Sequence, residues 1–146
     1  MAALFRNALA LVAGIAVGGA INMALVTISP QIIAPPSGVD VNSAESLRQA
    51  MHLFEPRHFI MPFVAHAVGT LVGALAAFLI AATHKAPMAY AVGVVFLCGG
   101  IAASFMIPAP AWFIALDLLL AYLPMAWLGV GAAAGLGRRF VPAPRQ

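Results

Sequence analysis

From its N-terminus the chain alternates long apolar runs with short polar breaks. The first run covers residues 8–28, with Arg6 ahead of it and Ser29-Pro30 behind. The second covers 59–82 and closes on Thr83-His84-Lys85. The third, 88–106, lies between Pro87 and the turn Pro108-Ala109-Pro110, and the fourth, 111–135, ends before Gly137-Arg138-Arg139. A helix rises 1.5 Å per residue, so about 20 apolar residues cross the hydrocarbon core of a bilayer. Each run meets that length. The pattern therefore predicts an all-α membrane protein, a four-transmembrane-helix bundle forming one domain over residues 1–146.

Residues 30–57 break the pattern. Pro35, Pro36 and Gly38 predict an irregular start. Asn42-Ser43-Ala44-Glu45 then reads as an N-cap at Asn42 with an acid three residues on. Leu47, Met51 and Phe54 recur at helical spacing opposite Glu45, Arg48 and His52, which predicts a short amphipathic helix on the membrane surface. Pro56 suits the first turn of the second span, where its missing N–H has no partner to lose. The tail beyond Arg139 is polar and proline-containing, and is expected to fray.

Composition supports the membrane reading. The chain is 64% hydrophobic and 8% charged, with a mean hydropathy of +1.03. A soluble domain is nearer half apolar and a quarter charged, so this chain cannot cover itself with polar surface. The net charge of +3 comes from only seven basic residues, with no basic patch interleaved with aromatics, so nucleic acid is not an expected partner. In a membrane protein those residues report topology. With the N-terminus inside, Arg6, Lys85, Arg138, Arg139 and Arg145 are cytoplasmic. Arg48 and Arg57 are outside, with Asp40, Glu45 and Glu55 beside them. The expectation is N-in and C-in, with 30–57 extracytoplasmic, Phe59, Phe63, Trp112 and Phe113 forming an outer aromatic belt, and Trp127 on the inner side. A cleaved leader would share the Arg and the apolar stretch of the first run, but its length and the lack of a small-x-small site favour a retained helix.

Within the spans, strongly polar residues are few: Asn22, His66 and Asp117, with Cys98 and Ser104 as weaker members. Counted from the predicted outer ends, Asn22, His66, Cys98 and Asp117 all fall roughly 9–12 Å deep, which makes one polar layer. Helical faces agree. His66 shares its stripe with Pro62, Gly69, Gly73 and Ala77; Asn22 shares its stripe with Gly14 and Gly18. Asp117 runs down with Ala121, Pro124, Leu128, Gly131 and Gly135, while Gly93, Gly100 and Ser104 form the small face of the third span. Small residues let helices approach closely, so these faces are expected to point inward. An ionised Asp117 in lipid would cost a few kcal/mol or more, and pairing with His66, as Asp⁻ with HisH⁺ or as two neutral groups, would remove much of that. Pro124 leaves the carbonyl of Leu120 without its donor, which favours a kink below Asp117.

Other chemistry finds less support. His52, Glu55 and His58 are weak metal candidates, since Pro56 interrupts any common helix. A b-type haem between helices needs histidines on two spans at matching depth, and only His66 lies inside one, with His84 at the far end. Cys98 is the single cysteine, which excludes an intramolecular disulfide and any CxxC site. No Ser-His-Asp order, phosphate-cradling glycine loop or HExxH is present, so no enzyme and no cofactor is expected.

The stretches from His52 to Ala74 and from Pro108 to Gly129 resemble a family of small bacterial four-helix inner-membrane proteins of unknown function. That resemblance implies the membrane class, the intact fold and a bacterial inner-membrane location, and brings no activity. Small multidrug-resistance transporters share the size and helix count, but carry a Glu in the first helix where this chain has Asn22. Two functions stay open. One is a non-enzymatic accessory or scaffold protein that forms a homo-oligomer or docks into a membrane complex, its polar layer structural. The other is a small proton-coupled permease using Asp117 and His66.

Overall fold

Four helical segments long and apolar enough to cross a membrane build the structure, a computed structural model that describes residues 1–107 and 109–139. Helix α1 is Ala2–Ile32, α2 Ala44–Ala50, α3 Ile60–Ile80, α4 Lys85–Met106, α5 Ala111–Leu120 and α6 Leu123–Arg139. Two 3₁₀ turns, Met51–Leu53 and Pro56–Phe59, join α2 to α3. Pro108, Arg145 and the tail expected to fray lie outside the described residues. The described residues hold no strand, and the fold is an all-α bundle.

Helix α3 is the centre of the bundle and packs against α1, α4 and α6. Its partnership with α1 is the most extensive, and glycine makes it possible. A methyl group on Gly14 would stand 2.7 Å from the carbonyl oxygen of Gly73, and one on Gly73 would stand 2.7 Å from that of Gly14. One turn along, Gly18 and Gly69 repeat the relation at 2.5 and 2.9 Å. Two GxxxG ridges thus lie backbone to backbone, an approach that larger residues would prevent. Elsewhere the core is mostly small. Ala65, Ala74, Ala77, Ala89, Ala121 and Ala126 are fully buried, whereas few large apolar side chains are buried and many face outward, as a lipid-solvated protein permits.

Several expected boundaries move. α1 runs through Pro30 to Ile32, because a proline in the last turn forfeits only its own N–H bond and few turns follow it. α4 begins at Lys85, ahead of Pro87, which occupies the first turn where no N–H donor is needed. The cap of α2 is Ser43 and not Asn42: the Ser43 hydroxyl accepts from the Ser46 N–H at 3.2 Å. Glu45 accepts instead from the Gln49 side chain at 2.7 Å. Leu47, Met51 and Phe54 are half-buried while Glu45, Arg48 and His52 are exposed, so the amphipathic pattern persists although α2 itself stops at Ala50.

The fourth span is two helices. Pro124 cannot donate to Leu120, the helix opens at Ala121–Tyr122, and α6 resumes in a new phase. In consequence Ala126, Gly129 and Ala133 turn inward, while Leu128, Gly131 and Gly135, expected on the Asp117 face, are exposed. The outer aromatics also differ from a belt. Phe59 packs on Phe113 at 4.8 Å and Trp112 at 5.5 Å, and Phe54 packs on His58 at 5.4 Å. They form a single cluster that pins the 3₁₀ segment to the start of α5. Phe63 instead packs with the core around Ala67, Ala121 and Tyr122, and Trp127 is exposed on α6.

Candidate functional site

Asp117 is the most buried charged residue of the spans, 5% exposed, and its environment explains how a carboxyl group sits there. It lies on α5, which faces α3 at the level of His66. The His66 Nδ1 approaches both carboxyl oxygens, at 2.9 Å to Oδ1 and 3.0 Å to Oδ2. The Tyr122 hydroxyl donates to Oδ2 at 2.9 Å. Both oxygens are therefore occupied, one by the phenol O–H and both within reach of the imidazole nitrogen. The Tyr122 ring also stacks on the imidazole, with centroids 5.9 Å apart and planes 26° from parallel.

Local backbone geometry sets up these contacts. The Thr70 hydroxyl, fully buried, donates to the His66 carbonyl at 2.8 Å, one turn along α3. Tyr122 reaches back five residues to Asp117 because the helix opens at that point; on a continuous helix the two would project from different faces. Gly100 on α4 gives the phenol its room, since a methyl group there would collide with the Tyr122 hydroxyl.

His66 and Tyr122 form part of the wall of a cavity of about 230 Å³ among α1, α3, α4 and the α5–α6 link. Asn22, Thr70, Phe96 and Gly99 contribute to the same wall, whereas Asp117 stands behind it. Asn22 is the unresolved member. Its Oδ1 is buried and has no hydrogen-bond partner, a condition that costs about 1–3 kcal/mol in a dry site. The imidazole Nε2 makes no hydrogen bond to any described residue, so one ring nitrogen is fixed by Asp117 while the other is uncommitted.

The remaining sequence candidates lie apart. Cys98 is exposed on α4, and the Ser104 hydroxyl donates to the Ile101 carbonyl of its own helix at 2.7 Å. Neither joins the layer: Cys98 faces outward, and the Ser104 hydroxyl is spent on its own helix. His52, Glu55 and His58 do not gather: among the described residues no group of three His, Cys, Asp or Glu side chains is arranged to hold a metal ion. His58 Nδ1 instead accepts the Glu55 N–H at 2.9 Å, and Arg57 pairs with Glu55 at 2.9 Å on the exposed surface. The segment is a structural junction, its backbone folded by the proline.

Sequence reasoning passed over Tyr122 and Thr70. Thr70 follows His66 by one helical turn, a signal available in the spacing. Tyr122 carried a weaker one, a phenol inside an apolar run two residues before a proline. The chain matches no family model, and comparison with characterised proteins and with solved structures finds no match.

Proposed function

We propose that the protein is a small proton-linked carrier, in which His66 takes up and releases a proton at Nε2 while Asp117 holds Nδ1. The observation that carries this reading is that the imidazole of a buried Asp–His pair borders a half-open cleft between α1 and α4. A pair needed only for helix register would be sealed between helices. His66 keeps 27% of its side chain exposed while Asp117 keeps 7%, the asymmetry expected of a proton-exchanging group backed by a fixed counter-charge. The test uses purified protein in vesicles loaded with a pH-sensitive dye, challenged with imposed gradients and with small solutes one class at a time. Wild-type vesicles are expected to move protons several-fold faster than empty ones. Asp117→Asn is expected to remove that flux while eluting as a monodisperse species. Equal rates in wild-type and empty vesicles under every challenge would sink the proposal.

A second reading rests on a different observation: both Asp117 oxygens already have partners from within the chain. On that view the protein is a non-enzymatic accessory or scaffold that self-associates or docks into a membrane complex, and the polar layer only pins helix register. Asp117→Asn then leaves assembly, and whatever co-purifies in mild detergent, unchanged.

Orientation and location belong to the same proposal. Arg6, Lys85, Arg138 and Arg139 belong to one end of the bundle and Arg48 and Arg57 to the other, four against two, which supports N-in and C-in in a bacterial inner membrane, in line with the resemblance to small four-helix proteins of that membrane. Labelling with an impermeant maleimide, in a Cys98→Ser background, should reach a cysteine placed at Ser37 and not one placed at Thr83.

A further inference from the structure

We propose that the cleft between α1 and α4 takes up a quinone from the bilayer, a neutral ring whose carbonyl oxygen accepts from His66 Nε2–H. The site is independent of the carrier reading, since it asks His66 only to donate and not to pass a proton on. Its first support is where the cleft opens. The mouth lies between Gly19 on α1 and Gly99 and Ala103 on α4, and a methyl group on either glycine would meet nothing within 4 Å. Val12 and Met23 share the helical face of Gly19, and Val95 and Met106 that of Gly99; all four are exposed and apolar, as on helices that face lipid. A ligand dissolved in the bilayer therefore reaches the cleft sideways. A charged one would find no counter-charge, because among the described residues the wall holds no Asp, Glu, Lys or Arg.

The second support is the hydrogen bonding left over at the wall. The Thr70 and Tyr122 hydroxyl protons are committed to the His66 carbonyl at 2.8 Å and to Asp117 Oδ2 at 2.9 Å. Asn22 and His66 remain. Asn22 turns its amide oxygen into the protein, where it is buried, so its NH₂ end is the part that borders the cleft. His66 turns Nδ1 to Asp117 behind the wall, and the two ring nitrogens point widely apart, so Nε2 is the edge it gives to the cleft. In hydrocarbon an Asp–His pair favours the states without net charge. There are two, imidazolium with carboxylate and imidazole with a carboxylic acid bonded to Nδ1, and both carry a proton on Nε2. Two N–H donors, one from α1 and one from α3, thus face a space with an apolar rim. They suit a ligand that accepts and does not donate.

A quinone meets these conditions. It is neutral, its oxygens only accept, and it carries them on a compact ring that dissolves in hydrocarbon. Depth separates it from the ester carbonyl of a lipid. His66 lies six residues, about 9 Å, along α3 from Ile60, whereas a lipid ester is tethered to its head group at the interface. The cleft, about 230 Å³, has room for a single ring, with its chain trailing through the mouth into lipid.

The test uses the full-length protein in phosphatidylcholine nanodiscs, in a Cys98→Ser background so that the exposed thiol cannot add to the ring. A decyl-substituted benzoquinone is the probe, and decylbenzene and dioctanoylglycerol are the controls. Binding is measured against empty nanodiscs, and ¹⁵N-histidine spectra follow the imidazole. We expect a single saturable quinone site and a shift of the His66 Nε2 resonance as it fills. Asn22→Val should weaken binding by about three- to tenfold, the range for one neutral hydrogen bond. Gly99→Leu should abolish it by filling the mouth, with the histidine spectrum left in its unliganded form. Equal binding of decylbenzene, displacement of the quinone by dioctanoylglycerol, undiminished binding in Gly99→Leu, or no saturable binding would each overturn the inference. Quinone binding without proton flux in vesicles leaves this site standing and removes the carrier reading; flux without quinone binding does the reverse.

Discussion

Asp117 shows how a single carboxyl group is made tolerable in hydrocarbon: two hydrogen-bonding partners reach it, one from across the bundle and one from a break in its own span. Removing either partner should be felt. Tyr122→Phe deletes the phenol O–H and leaves Oδ2 partly unserved, which should cost about 1–3 kcal/mol; thermal unfolding in detergent reads this as a lowered midpoint. Asn22→Val removes the unpartnered oxygen and should be neutral or stabilising in the same assay, because it relieves an unmet hydrogen bond and retains similar bulk. His66 and Asp117 were legible as a pair from depth and face alone, since rare polar residues in apolar runs need partners. Tyr122 was not, because its contact depends on a helix opening whose direction the residue pattern does not encode. Cys98 shared the depth but lies on the exposed side of α4, so depth without azimuth did not place it.

At the level of elements, adjacent glycines separate close packing from open space. On α1, a methyl group on Gly18 would press on the Gly69 carbonyl, whereas one on Gly19 would meet nothing within 4 Å. Gly18→Ala should therefore destabilise the bundle by about 1–3 kcal/mol, as overpacked sites do. Gly19→Ala should stabilise it by up to about 1 kcal/mol through helix propensity. Denaturation of the two variants side by side measures the contrast. The GxxxG spacing of α1 and α3 was readable, because an inward stripe of small residues is a pattern along one helix. The inward face of α6 was misread for a physical reason: a periodicity carried past Pro124 assumes an unbroken helix, and the break resets its phase. Pro124→Ala should close that break, draw Tyr122 from Asp117 and lower stability despite improving local helix propensity.

Across the whole molecule, the two ends of the bundle are tied by side chains from distant segments. Arg6 Nε donates to the Ile80 carbonyl at 2.7 Å, and Asn7 Oδ1 accepts from the Ala82 and Thr83 N–H groups at 3.0 and 3.2 Å. At the other end Arg48 Nε donates to the Met106 carbonyl at 2.7 Å. Last-turn carbonyls have no intrahelical donor, and a guanidinium also complements the negative end of the helix dipole. Both arginines, read from the sequence as topology markers, are helix caps as well. Asn7→Ala should cost about 1–2 kcal/mol and speed amide exchange at Ala82 and Thr83.

The distance along the chain between His66 and Asp117, 51 residues, also bears on how the protein is made. Synthesis delivers α1 and α3 to the membrane first, and their glycine ridges can close without the rest of the chain. His66 then waits in that hairpin, its imidazole unanswered, until α5 emerges with the carboxylate. A nascent chain stopped after Met106 would keep its best-packed interface and still carry an unmatched polar group, which a membrane protease can distinguish from the finished protein. The last span to arrive thus completes the chemistry of the second, and a chain missing it should be short-lived in a pulse-chase measurement.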